Sequence, residues 1–238
     1  MRFGYFPSNP RAVEPELDKK ITRHSLIFAA SVTLLLWLTK LLELTTSANF
    51  VQGGVFPRAW YGLSGIITSP LIHADFGHLV SNSVPLFLLL FALIYYYRKY
   101  AYRIFWMMYI FSGVCVWLFG REAWHIGASG VVYGLAAFHF TSGLLRNDLR
   151  LLTISVVVAF LYGGMVWGLF PIHPDVSWES HLYGAISGLL LAFAFRRHIV
   201  KRIPFEWEYE NEDPEDDMKE PHSELDNQEE ESGELPHP

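Results

Sequence analysis

Ser129 lies among small residues, in Gly127-Ala128-Ser129-Gly130, and His181 follows in Ser180-His181-Leu182-Tyr183-Gly184. A serine hydroxyl becomes a useful nucleophile only when a base takes its proton, and imidazole has the right basicity near neutral pH. His78 and Asn82 are four residues apart, which on a helix puts both on one face. Both can donate a hydrogen bond to a developing oxyanion. Glycines at 127 and 130 permit a tight turn and the close approach of another backbone. Tyr133, four residues after Ser129, faces the same way and could pack beneath the His181 ring. Together these residue types can carry out nucleophilic serine catalysis.

Each piece also has a plainer reading. A Gly-x-Ser-Gly tetrapeptide is commonplace, and small residues are standard where membrane helices touch. Gly184 and Gly188 form a small-xxx-small face, which reads as close helix packing. His73, His125, His139 and His173 read as hydrogen-bonded structural histidines. His73 and His78 do not make a metal site, because there is no His-Glu-x-x-His and no third ligand in pattern. Cys115, the one cysteine, lies in an apolar run and reads as a small buried hydrophobe.

The elements that must position these groups are set by composition. Of 238 residues 51% are hydrophobic and 18% charged, and the charge is polarised. Through Phe205 there are 17 Lys and Arg against 9 Asp and Glu, whereas Glu206–Pro238 holds 15 acids and only Lys219 as a base. A basic body is therefore followed by an acidic tail. Apolar runs of helical length recur at roughly Ser25–Glu43, Gly77–Tyr97, Arg103–Phe119, Ser129–Leu145, Leu149–Phe170 and Trp178–Phe195. Each approaches the ~20 residues that cross the hydrocarbon core. Backbone groups in lipid must be satisfied internally, so the runs are expected to be helices. Period-2 alternation is absent, which argues against a β-barrel.

The expected fold is all-α: a polytopic membrane protein of six transmembrane helices. Three parts are expected: a cytoplasmic N-terminal segment (1–24), the membrane domain (25–197) and an acidic, disordered cytoplasmic tail (198–238). Fourteen Lys and Arg flank the runs on the side of the termini, against Lys40, Arg58 and Arg121 on the other. By the positive-inside rule both termini are cytoplasmic. Helices two, four and six then run inward from the outer face, and their first turns carry His78 with Asn82, Ser129 and His181. These separated polar groups thus fall at one level of the bilayer. Ser129 at a helix N-terminus would aim free N–H groups and the positive dipole end at an oxyanion.

In order and spacing, His78-x-x-x-Asn82, Gly127-x-Ser129-Gly130 and His181-x-x-Gly184-x-x-x-Gly188 resemble the rhomboid family of intramembrane serine proteases. The approach Thr68-Ser69-Pro70-Leu71-Ile72-His73-Ala74-Asp75-Phe76-Gly77-His78-Leu79 is similar too. The resemblance covers about Trp60–Phe195 and implies a six-helix rhomboid-like bundle. It implies Ser129 and His181 as the catalytic dyad, with His78, Asn82 and the Ser129 amide as oxyanion donors. Tyr133 and Gly127 would support them. It further implies transmembrane protein substrates, a lipid bilayer of the plasma or inner membrane, no nucleic acid, and no metal or other cofactor. Departures are Arg58-Ala59-Trp60, where many relatives show a Trp-Arg pair, and Ser81, where some carry a bulky aromatic. Glu179, two residues before His181, would point away from it on a helix and receives no catalytic role. The rival reading is a catalytically silent rhomboid-fold protein that binds membrane clients. Such relatives usually lack the serine or the histidine.

Overall fold

The computed structural model describes residues 15–161, 166–172 and 176–196. Among them the long elements are α1 (Pro15–Thr46), α2 (Phe76–Tyr97), α3 (Ala101–Phe119), α4 (Ser129–Arg146), α5 (Leu149–Leu161) and α6 (Trp178–Phe195). The only β pairing there is a single antiparallel bridge between Val55 and His125. The acidic segment expected from residue 198, and His173, lie outside the described residues.

The helices begin and end where local chemistry directs. The Asp75 side chain accepts from the His78 amide at the head of α2, satisfying one of the N–H groups a helix start leaves over. Bonds from the His78 and Gly77 amides hold the Asp75 carboxyl below the usual carboxylate range. Ser177 caps α6 by accepting from Ser180 N–H. Asn147 closes α4 in the left-handed conformation, which asparagine tolerates better than most residues.

Two helices differ from the apolar runs. α1 starts at Pro15, ten residues before the expected Ser25, because proline suits a first helical turn and the polar stretch to His24 continues the same helix. α5 is described only to Leu161, and Trp167–Leu169 forms a 3₁₀ turn instead of the tail of a long helix. Gly168 and Pro171 are poor residues for continuing an α-helix.

Among the described residues, Leu17–Thr46 and the stretch Phe76–Phe119, which contains α2 and α3, are long and apolar enough to cross a membrane. Large apolar side chains face outward, as with Leu41 at 57% and Phe160 at 82% exposure. Leu79, Leu86, Leu89, Leu90 and Leu93 of α2 meet Ile104 and Met108 of α3 and Leu135 and Phe138 of α4 in the buried core. α4 is the central helix, packing on α2, α3, α5 and, most extensively, α6.

The segment between α1 and α2 is folded onto the bundle. Val55 and His125 exchange backbone bonds of 2.9 and 2.8 Å. Arg58 donates to the Gly120 carbonyl, and Trp117 donates to the Ala59 carbonyl. The Tyr109 hydroxyl reaches the Ile67 carbonyl from α3. Phe56, Tyr61 and Trp124 cluster with centroids 5.1–5.8 Å apart. Arg58 thus fastens this loop to the end of α3, while Trp60 is 82% exposed.

Candidate active site

The first turns of α2, α4 and α6 border one cavity of about 670 Å³, lined by His78, Asn82, Ser129, Tyr133 and His181 together with Trp124. Its centre is the pair Ser129 and His181: the serine Oγ lies 2.8 Å from His181 Nε2. Both residues are more than nine-tenths buried. The second ring nitrogen, Nδ1, lies 2.8 Å from the Gly168 carbonyl oxygen. Tyr133 stacks on the His181 ring, with centroids 4.1 Å apart and planes 6° from parallel.

The turn before Ser129 is built around two contacts. Gly127 has φ +108°, and a Cβ there would lie 2.7 Å from the His78 ring. Glycine is therefore required on two counts, backbone conformation and space. The close approach at this glycine is by a side chain. At Gly130 it is by a backbone, since a Cβ would come within 3.1 Å of the Ser180 carbonyl. Gly127 N–H donates to the Ser69 carbonyl at 2.9 Å, and Ala128 N–H points at His73 Nε2, 3.4 Å away. The chain just before α2 therefore supports the turn that carries the serine.

Asn82 is buried, and its amide donates to the His78 carbonyl at 2.8 Å. A side-chain amide has two N–H groups, so this bond leaves one for another acceptor. Ser81 is exposed and bonds back to His78 at 2.9 Å. The His73 and His78 rings meet edge to face with centroids 5.0 Å apart. Among the described residues no group of three His, Cys, Asp or Glu side chains is arranged to hold a metal ion.

The remaining histidines differ in place. His125 bridges Ser177 Oγ and the Arg121 carbonyl at the cavity's edge. His139 is buried far along α4 and bonds the Leu89 carbonyl at 3.0 Å. Glu179 is 2% exposed and faces Arg121, whose Nε is 3.7 Å and whose backbone N–H is 3.3 Å from Oε1. His73 is the hydrogen-bonded structural histidine that the sequence suggests, but reasoning from sequence missed its partner, the turn before Ser129, and missed Gly168 as a partner of His181. Its spacing from His78 was the only available signal for His73. For Gly168 there was none, because its contribution is a backbone carbonyl.

Lys40 was missed as well. It is buried on α1, donates to the His73 and Ala74 carbonyls at 3.0 Å each, and pairs with Glu43 at 2.7 Å. Glu43 in turn accepts from Phe50 N–H. A buried ammonium with three acceptors ties α1 to the strip of chain that leads into His78.

The sequence matches the family model described as Rhomboid domain over residues 58–198. An uncharacterized protein of Mycobacterium tuberculosis is 33% identical over 171 residues, covering 67% of this chain and 70% of its own. YdcA of Bacillus subtilis, named provisionally as a rhomboid protease, is 32% identical over 145 residues, 59% of this chain and 69% of its own. A chloroplastic rhomboid-like protein of Arabidopsis thaliana is 28% identical, over 58% of this chain and 53% of its own.

Proposed function

Because the chain belongs to the rhomboid family, whose members are membrane proteins, we propose that it is an intramembrane serine endopeptidase acting on transmembrane segments of other proteins. The observation that carries this reading is the 2.8 Å contact between Ser129 Oγ and His181 Nε2 at a cavity large enough for a peptide segment.

In this mechanism His181 Nε2 takes the serine proton as Oγ adds to the scissile carbonyl carbon. The carbonyl oxygen becomes an oxyanion, received by the Ser129 amide at the start of α4 and by donors from His78 and Asn82. Collapse of the tetrahedral species breaks the C–N bond, and His181 gives its proton to the leaving amine. Water, with His181 again as base, then hydrolyses the acyl-enzyme. The residues supply nucleophile, base and electrostatic stabilisation, so no cofactor is called for.

We read the bundle as six spans with both termini cytoplasmic. The fourteen basic residues on the termini's side, against three on the other, support it. Lys40 pairs with Glu43, Arg58 lies 3.5 Å from Glu122, and Arg121 faces Glu179. A client helix hides its carbonyls in its own hydrogen bonds, so attack needs local unwinding. Cleavage is expected near the outer end of the client, after a small residue, and faster where Gly or Pro eases unwinding.

The test is cleavage of a transmembrane substrate by purified protein in a bilayer, with product termini mapped by mass spectrometry. Cuts near the client's outer end, lost in Ser129→Ala and His181→Ala, are the expected result. A client that binds and is never cut would instead favour the catalytically silent, client-binding reading. Cuts confined to the cytoplasmic end would overturn the topology, and cuts in soluble loops alone would overturn the intramembrane chemistry.

A further inference from the structure

His181 is held on three sides, and only two of them come from helices. Ser129 Oγ is at Nε2, the Tyr133 ring lies against one face, and the Gly168 carbonyl is at Nδ1. A carbonyl oxygen can only accept, so Nδ1 carries the hydrogen and a neutral ring keeps its lone pair at Nε2. That is the tautomer a base for Ser129 requires. In a serine triad a carboxylate performs this orienting task. Here the nearby carboxylate, Glu179, faces Arg121 instead.

The carbonyl belongs to the 3₁₀ turn Trp167–Leu169, closed by Phe170 N–H on the Trp167 carbonyl at 3.1 Å. The turn can lie this close because residue 168 has no side chain. A Cβ there would stand 2.1 Å from the Tyr133 hydroxyl and 3.0 Å from His181 Nδ1. Any larger residue must push the turn away or turn the ring.

We propose that Gly168 is the positioning residue of the Ser129–His181 pair: its carbonyl fixes the His181 tautomer, and its missing side chain lets that carbonyl reach the ring. This rests on the proposed hydrolase function. It locates the third member of the catalytic unit on the segment joining α5 to α6.

The test is nitrogen NMR of ¹⁵N-histidine-labelled protein in bilayers, with the His181 signals assigned by their loss in His181→Ala. In the wild type the neutral His181 ring should carry its hydrogen on Nδ1. In Gly168→Ala that preference should be lost, and kcat should fall roughly 100-fold with little change in KM, as a displaced base would cause. Adding Tyr133→Phe removes the nearest clash but leaves the 3.0 Å approach to His181 Nδ1, so the double variant should recover part of the rate lost in Gly168→Ala, a coupling expected only of groups in contact. A wild-type ring with its hydrogen on Nε2 overturns the proposal whatever the variants do. So does a Gly168→Ala protein that keeps both tautomer and rate, or one that loses rate with the tautomer unchanged. A wild type with the Nδ1–H tautomer that cuts no substrate would sink the hydrolase reading and leave the tautomer assignment standing.

Discussion

Gly184 of α6 sits so near the Gly130 carbonyl of α4 that a Cβ at 184 would lie 2.0 Å from that oxygen. One turn along, Gly188 stands in the same relation to the Gly134 carbonyl. Ser129 immediately precedes Gly130, and His181 is one turn before Gly184. The distance between Ser129 and His181 is therefore set by a backbone-to-backbone contact. In lipid, apolar burial gives helices little reason to associate, and close packing at small residues provides much of it.

Gly184→Ala should consequently harm both stability and chemistry. Forcing a methyl into this contact is expected to cost about 1–3 kcal/mol. Pushing His181 outward by even a fraction of an ångström should lower turnover much further than the melting temperature alone would suggest. Thermal unfolding in detergent, set beside the rate on a transmembrane substrate, separates the two. A protein that melts early but turns over normally would mean that the pair does not depend on this contact.

Lys40→Met tests the tie between α1 and the entry to α2. It would leave the Glu43 carboxylate without its cation and the His73 and Ala74 carbonyls without their donor. Breaking a fully buried ion pair from one side costs about 3–5 kcal/mol, and the cost here should be smaller because Glu43 is only half-buried. A drop in unfolding temperature is expected, and Lys40→Met with Glu43→Gln should be less damaged than Lys40→Met alone. No change in melting would show that the ammonium is fully replaceable by solvent.

Asn82→Ala should separate oxyanion stabilisation from folding. Loss of its bond to the His78 carbonyl is worth about 1 kcal/mol of stability. Loss of an oxyanion donor is worth roughly 100-fold or more in turnover. Turnover should fall by that order while the melting temperature moves little and Ser129 stays reactive. A variant that fails to fold would assign Asn82 a purely structural bond.

The polar ring around the cavity is legible in the sequence for a physical reason. Polar groups inside apolar runs are costly, so Asn82, Ser129 and His181 stand out against their neighbours, and the runs themselves mark the helices. The apolar run Trp178–Phe195 coincides with α6 at both ends for this reason. The groups that escape notice act through the main chain. Gly168 contributes a carbonyl, which every residue has, and Lys40 binds carbonyls 33 and 34 residues away. The end of the fifth run escaped notice because Trp167 and Leu169 are as apolar as the helix before them, although Gly168 and Pro171 could have flagged the break. The spacing Gly184-x-x-x-Gly188 announced close packing, but the partner it packs on, α4, becomes apparent only in three dimensions.

Ser129 should react as a nucleophile activated by His181. The most direct measurement is covalent labelling of the purified, folded protein by a fluorophosphonate probe, with the modified peptide identified by mass spectrometry. The adduct should sit on Ser129, be absent in Ser129→Ala, and be nearly lost in His181→Ala although that variant stays folded. Equal labelling of Ser129→Ala and wild type, or an adduct on another serine, would mean that Ser129 is not the nucleophile.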